Sequence, residues 1–159
     1  MAFGDLNNDL RTDAVFAGPK NLTVFFGGLK EPRHIAARDN RINEIRLLDY
    51  DNDGWLDVVA WGGDGVHVWR NRGKNGFQET TAELGLATLG QGNVTHFAAA
   101  DFDRDCDIDF VFEVEGAGLR MLRNDGGNAN GQVKLRLLGN RSNASGLGVK
   151  VELAGGLFH

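Results

Sequence analysis

Short apolar segments bounded by Gly, Asn and Asp recur along the chain in a fixed order. Each of three Asp-rich windows is followed by one such segment, and a second comes a few residues later. The segments are rich in Val, Phe, Trp and Leu and are too short for helices, which is typical of β-strands. In chain order they are AVFAG, LTVFFGG, VVAWGG, GVHVWRN, FVFEVEG and GLRMLRN, while EIRLL (44–48) and VTHFAAA (94–100) precede the second and third windows. The pattern predicts an all-β fold.

The spacing of the windows indicates a repeat protein. Their starts lie 44 and 52 residues apart, and repeats of ~40–50 residues with several strands each are typical of β-propeller blades. Residues 58–61 (VVAW) are all apolar, as expected of a strand covered on both faces by stacked sheets. We therefore predict a partial β-propeller of about three blades, at about 1–43, 44–86 and 87–129.

Two stretches depart from the strand repeat. A helical solenoid is the competing architecture, but no 3.6-residue periodicity is sustained. The best candidate for a helical turn is 77–90, in the connection between the second and third blades. In 130–159, apolar residues alternate at 133, 135 and 137 and again at 149, 151 and 153, across a loop of Gly, Ser and Asn. This predicts a C-terminal β-hairpin outside the repeats.

The composition excludes several classes of protein. The chain has 159 residues with 23 Gly and only two Pro, which indicates many tight turns. Its apolar runs are far shorter than the ~20 residues that span a bilayer, and no secretory signal is recognisable at the amino terminus. One Cys excludes an internal disulfide. The net charge of −5 shows no basic surface for nucleic acid, so we expect neither a nucleic-acid partner nor a membrane span.

The Asp-rich windows share one spacing of oxygen-bearing side chains. Positions one, three, five and nine are Asp or Asn in every window and hold eleven of the 22 acidic side chains. We name the windows loop one (5–13, DLNNDLRTD), loop two (49–57, DYDNDGWLD) and loop three (101–109, DFDRDCDID). Alternate carboxylates in a tight turn converge on one centre, where they repel each other unless a cation lies between them.

Calcium is the cation that these loops fit best. Ca²⁺ accepts ~6–8 oxygen ligands in flexible geometry, whereas Mg²⁺ prefers a smaller octahedral shell that keeps several waters. The residue at position seven would add its backbone carbonyl, and the Asp107 side chain is then expected to face solvent. We predict up to three Ca²⁺ ions, with the ligands Asp5, Asn7, Asp9, Arg11 and Asp13; Asp49, Asp51, Asp53, Trp55 and Asp57; and Asp101, Asp103, Asp105, Asp107 and Asp109.

The three loops are not equivalent. Loop two has four Asp ligands and Gly54 at position six, where a sharp turn favours a positive φ. Loop one has Asn7 in place of an Asp and Leu10 in place of the Gly, and loop three has Cys106 there. A left-handed conformation costs a non-Gly residue roughly 1–2 kcal/mol. We expect the calcium affinity to fall from loop two to loop three to loop one.

Two other interpretations fit the loops less well. An EF-hand shares the DxDxDG opening but needs an acidic residue at position twelve and helices on both sides. Position twelve is Phe16, Ala60 and Phe112, and the flanking segments are strand-like. Clusters of Asp, Asn and Gly also occur as simple solvated turns, but three windows with the same oxygen spacing favour metal binding. A soft-metal role for Cys106 is disfavoured by the hard oxygens around it.

The windows and their flanks resemble a known family. FGDLNND, LLDYDNDGWLDVV and AADFDRDCDIDFVF are similar to the FG-GAP/VCBS repeats of integrin-α-like β-propellers. The tail VKLRLLGNRSNASGLGVKVEL resembles the start of the ASPIC/UnbV domain that follows such repeats in cartilage-acidic-protein-like chains. The resemblance implies metal loops between the first two strands of each blade. It also implies an extracellular, periplasmic or cell-surface location.

The chain departs from that pattern in its extent. Propellers close with typically ~4–8 blades, so three blades are expected to be part of a longer protein whose remaining blades lie elsewhere. The first repeat begins at its loop, which leaves no room for the strand expected before it. The segment 130–159 would be a truncated start of the ASPIC/UnbV-like domain.

Two functions from different classes follow. The first is a non-catalytic binding or adhesion scaffold with structural Ca²⁺ and an unknown protein or carbohydrate ligand. The second is the propeller part of a secreted enzyme whose catalytic site is unrecognised or lies outside this chain. The four histidines show no neighbouring pattern of nucleophile and orienting acid. The residues of a catalytic triad need to meet only in space, so this absence in the sequence does not exclude a triad. We favour the scaffold and expect no enzyme activity.

Overall fold

The computed structural model describes residues 1–18, 21–27, 32–37 and 41–126, with four single positions in the tail. These residues form three antiparallel sheets, none of them closed into a ring. The prediction of an all-β fold is therefore confirmed. The predicted hairpin in 130–159 lies outside the described residues.

Consecutive strands build each sheet in chain order. The first sheet contains β1 (Ala2–Gly4), β2 (Asp13–Ala17), β3 (Asn21–Phe25) and β4 (Arg33–Ala36). The second contains β5 (Ile42–Leu48), β6 (Asp57–Gly62), β7 (Gly65–Asn71) and β8 (Phe77–Glu79). The third contains β9 (Val94–Ala100), β10 (Asp109–Val114) and β11 (Gly118–Leu122), and a short helix, α1 (Leu86–Leu89), precedes it.

One sequence expectation about the elements needs correction, and another is confirmed. A strand does precede loop one, because β1 pairs with β2 from Ala2 opposite Val15 to Gly4 opposite Asp13. The helical turn expected in 77–90 is present at Leu86–Leu89, while the strand β8, at the start of this stretch on the edge of the second sheet, was not expected. A three-residue strand is too short to show an alternating pattern, which explains why both strands escaped detection.

The middle of the second sheet is buried on both faces, as the apolar run 58–61 predicted. All six residues of β6 are buried. Val58, Ala60 and Trp69 pack towards the first sheet, in one core with Val15, Leu22, Val24, Phe26 and Ile35. Val59 and Trp61 pack towards the third sheet, in a second core with Phe97, Phe110 and Phe112. The sheets therefore stack in chain order, and Trp61 lies over Phe97 with ring centroids 4.7 Å apart.

Each Asp-rich loop joins the first two strands of its sheet. Loop one lies between β1 and β2, loop two between β5 and β6, and loop three between β9 and β10. The residues at position twelve, Phe16, Ala60 and Phe112, lie inside strands. The flanks are thus antiparallel strands and not helices, so these loops are not EF-hands.

Candidate metal centres

A buried carboxylate closes every loop at position nine. Asp13, Asp57 and Asp109 are buried, and the Oδ2 atom of each accepts a hydrogen bond from the backbone N–H at position two. Their Oδ1 atoms accept from the backbone N–H of a residue at or beyond the end of the third strand. Those donors are Gly27, Asn71 and Asn124, at 2.6, 2.7 and 2.9 Å. The last Asp therefore fixes the loop to its own sheet.

The carboxylate at position one organises the turn. In loop two, Asp49 accepts the backbone N–H of Asp53 at 3.0 Å and of Gly54 at 2.9 Å. Loop one repeats these two bonds on Asp5, and loop three repeats the bond from position six, with Cys106 N–H on Asp101 at 3.3 Å. The backbone thus winds around the first carboxylate, which brings positions three and five towards it.

The acidic side chains converge in loops two and three. In loop two, carboxylate oxygens of Asp49, Asp51 and Asp53 lie within 4.8 Å of one another. In loop three the same holds for Asp101, Asp103 and Asp109, and separately for Asp103, Asp105 and Asp125. Within the part of the chain that the structure describes, loop one forms no such group of three acidic, His or Cys side chains. This is the loop in which Asn7 replaces an Asp.

The turn requires a positive φ at two positions of each loop. Position six has φ values of 67°, 86° and 81° at Leu10, Gly54 and Cys106, as the sequence argument expected for a turn built around Gly. Position four is also left-handed, at Asn8, Asn52 and Arg104. Loops one and three therefore hold strained residues at position six, whereas loop two has the residue that adopts this conformation without strain.

The side chain of Asp107 does not face solvent, contrary to the sequence expectation. Asp107 is buried, and its Oδ1 accepts a hydrogen bond from Asn52 Nδ2 at 2.9 Å. The donor belongs to the neighbouring loop two. A sequence argument that treats each loop alone cannot foresee this contact, because its partner is 55 residues away.

Neighbouring loops are hydrogen-bonded to each other in a repeated pattern. Asn8 in loop one donates to the carbonyl of Gly54 at 3.2 Å, and Asn52 in loop two donates to the carbonyl of Cys106 at 3.3 Å. In both cases position four donates to position six of the next loop. The loops therefore form a connected row along one end of the stacked sheets.

A second repeated contact was also missed from the sequence. The side chain of Asn71 donates to the carbonyls of Leu6 at 2.7 Å and Leu56 at 3.0 Å, so it joins loops one and two. Asn124 joins loops two and three in the same way, through Tyr50 and Ile108. The available signal was the Arg-Asn pair that ends both GVHVWRN and GLRMLRN.

Arginine precedes each of these asparagines and contacts the acidic loop of its own sheet. Arg70 Nε lies 2.6 Å from Asp51 Oδ2, and its Nη2 lies 3.1 Å from Asp53 Oδ2. Arg123 Nε lies 3.9 Å from Asp103 Oδ2, and its Nη2 lies 2.8 Å from Asp125. These contacts place a permanent positive charge beside the carboxylates of loops two and three.

Burial and neighbouring acids raise the pKa of two carboxyls in loop two. Burial raises the pKa of Asp57 to about 8, with a further rise from Asp51 and Asp53 and an opposing effect from its two backbone hydrogen bonds. Burial also raises the pKa of Asp51, which the neighbouring Asp53 raises further and Arg70 lowers. Asp51 and Asp57 thus resist ionisation, mainly because they are buried, and a bound cation would relieve this cost.

The comparison with protein families points to the same region. Residues 49–112 match the family model of the FG-GAP-like repeat. The match begins at Asp49, the first residue of loop two, and ends at Phe112 in β10, so it covers both loops in which acidic side chains converge. No curated protein and no solved structure matches the chain. The predicted resemblance to FG-GAP repeats is thereby supported for residues 49–112. The predicted resemblance of the tail to the ASPIC/UnbV domain stays a prediction.

No α-helix in the described ranges is long and apolar enough to cross a bilayer.

The repeat boundaries expected near residues 43 and 86 also stay predictions. The three sheets occupy residues 2–36, 42–79 and 94–122.

Proposed function

We propose that this chain is a segment of an extracellular-type β-propeller that binds structural Ca²⁺ in its Asp-rich hairpin loops. The observation that carries the proposal is the convergence of Asp49, Asp51 and Asp53 within 4.8 Å in loop two. The donor set consists of carboxylate oxygens, which Ca²⁺ prefers. FG-GAP-like repeats are typical of extracellular scaffolds, so we place the protein outside the cell, in the periplasm or at a cell surface.

The role of Ca²⁺ would be to hold the row of loops in shape. Position nine already fixes each loop to its own sheet, and the asparagines join it to its neighbour. A cation between positions one, three and five would neutralise the remaining carboxylates, which otherwise repel each other. The sheets would then act as blades, and the connected loops would form the rim that presents a surface to a protein or carbohydrate ligand.

We favour a structural metal over a catalytic one. Catalysis by a metal needs an open position for the substrate. In loop two, four Asp side chains and the carbonyl of Trp55 are the expected ligands, which leaves at most one or two waters. The scaffold therefore needs no chemical step, and the protein is proposed to be a binding module and not an enzyme.

Calorimetric titration of the full chain with Ca²⁺ tests the proposal. We expect binding to weaken most in Asp49→Ala, less in Asp101→Ala and least in Asp5→Ala, because ligand completeness falls in that order. Asp64→Ala is the matched control, because this substitution removes the same charge at a residue that pairs with Arg41 outside the loops. Equal losses in the three loop variants would reject the order, and an equal loss in Asp64→Ala would reject the sites.

A further inference from the structure

The guanidinium of Arg70 lies within the acidic centre of loop two. It bridges two of the three converging carboxylates, with 2.6 Å from Nε to Asp51 and 3.1 Å from Nη2 to Asp53. Arg70 is anchored on β7, whose next residue, Asn71, donates its backbone N–H to Asp57. The position of the guanidinium is therefore set by the same strand end that closes the loop.

The three loops form an internal series at this place. Phe26, Arg70 and Arg123 each stand one residue before the backbone donor to position nine. Arg70 contacts its loop twice, whereas Arg123 is 3.9 Å from Asp103 and makes its short contact with Asp125 outside the loop. Phe26 carries no charge and is buried in the apolar core. At this position, the positive charge thus lies closest to the loop carboxylates in loop two, farther away in loop three, and is missing in loop one, where the residue is Phe26.

We propose that Arg70 is an internal cation that competes with Ca²⁺ for the carboxylates of loop two. The inference rests on the proposed calcium function and deepens it. The guanidinium offsets the mutual repulsion of Asp51 and Asp53 when no metal is bound. A bound Ca²⁺ would supply two positive charges to the same group of oxygens, and the two cations would then repel each other.

The competition has a defined thermodynamic consequence. If Arg70 lowers the affinity for Ca²⁺, then Ca²⁺ weakens the pairing of Arg70 with Asp51 and Asp53 by the same free energy. Arg70 therefore stabilises the calcium-free loop and reduces the gain from calcium. Loop two, with the most complete ligand set, would bind less tightly than its carboxylates alone allow. Its affinity would be set by the arginine as well as by the ligands.

The test is the calcium affinity of Arg70→Gln, which removes the charge and keeps a polar side chain of similar length. We would measure it by calorimetry in an Asp101→Ala background, so that the signal of loop three is reduced. The dissociation constant is expected to fall about tenfold, the effect of a ~1.4 kcal/mol repulsion. The melting temperature of the same variant in calcium-free buffer is expected to fall, because the loop carboxylates lose their counter-charge.

Two variants serve as controls. Arg72→Gln removes the same charge two residues further on, where the guanidinium binds Gln78 and not the loop, and it should leave the calcium affinity unchanged. Arg70→Lys keeps the charge but loses the two-point contact, and its affinity should lie between those of the wild type and Arg70→Gln.

The possible results distinguish the competition by Arg70 from the proposed calcium function itself. A calcium affinity that is unchanged or weaker in Arg70→Gln, with normal binding in the wild type, would overturn the competition and leave the calcium function standing. An equal gain in Arg72→Gln would reduce the effect to net charge and would also overturn it. Failure of the wild type itself to bind Ca²⁺ would reject the proposed function together with this inference.

Discussion

At the scale of single residues, the aspartate at position nine anchors each loop to its sheet and is also a ligand in the proposed calcium site. Asp57 is buried, and both of its oxygens accept backbone N–H groups, from Tyr50 and Asn71. It lies beside Asp51 and Asp53, and burial raises its pKa from 3.8 to about 8. The protonated form is therefore favoured in the folded chain, whereas the unfolded chain loses this proton near pH 4. Ionisation of Asp57 lowers the stability of the folded chain, and a bound cation would offset this loss.

This raised pKa predicts how stability depends on pH. Because the folded-state pKa lies above the unfolded value, the contribution of Asp57 is complete below pH ~4 and is lost as the pH rises towards 8. In calcium-free buffer we expect the free energy of unfolding to be lower at pH 8.5 than at pH 5.5, by at least ~1 kcal/mol. Chemical denaturation at both pH values measures it. In Asp57→Asn, which does not titrate, the difference should shrink; a difference of the same size would show that other groups cause it.

The asparagine that joins neighbouring loops gives a second prediction. Asn71→Ala should lower the free energy of unfolding by about 1–3 kcal/mol, because the carbonyls of Leu6 and Leu56 lose a buried donor. The control is Asn75→Ala, an exposed asparagine in the neighbouring 3-10 turn. Denaturant unfolding of both variants measures the effect, and equal stability of the two would contradict the role of Asn71.

At the scale of the element, the loop geometry is common to all three copies, but the sequences match it unequally. The backbone is left-handed at position six in every loop, and only loop two has Gly there. Leu10 in loop one is 95 % exposed and has a φ of 67°. Its side chain therefore contributes little packing while its backbone is strained.

Leu10→Gly should consequently stabilise the protein. Relief of the left-handed strain, of roughly 1–2 kcal/mol, exceeds the added entropy of the unfolded chain, so we expect a net gain of about 0.5–1 kcal/mol. Leu119→Gly is the matched control, since Leu119 is also exposed but lies in β11 with no positive φ. It should destabilise the chain. A loss of stability in Leu10→Gly, measured by thermal unfolding, would show that the strain is not the dominant effect.

At the scale of the whole molecule, the sequence predicts local features such as strands and their burial better than it predicts contacts between repeats. The strand 94–100, the two-sided burial of 58–61 and the placement of loops two and three between strands follow from spacing and apolar runs. The burial of Asp107, the bridging by Asn71 and the approach of Arg70 to Asp51 depend on how strands and neighbouring sheets meet in space. A single sequence carries no direct signal of such long-range contacts.

The stacking of the sheets also explains why neighbouring loops contact each other. The two apolar cores hold the second sheet between the first and the third. Because this packing fixes the sheets, the loops at their ends are held within hydrogen-bond reach, as the contact of Asn52 with Cys106 shows. The three acidic loops therefore lie in one connected row.

The most direct test of the central claim is the melting temperature of the full chain with Ca²⁺ and with a chelator. A ligand present at 100 times its dissociation constant stabilises the folded state by about 2.7 kcal/mol per site. Structural calcium binding predicts a clear rise with Ca²⁺, a much smaller rise with Mg²⁺, and a reduced rise in Asp49→Ala. A melting temperature that is the same in Ca²⁺ and in chelator would contradict it.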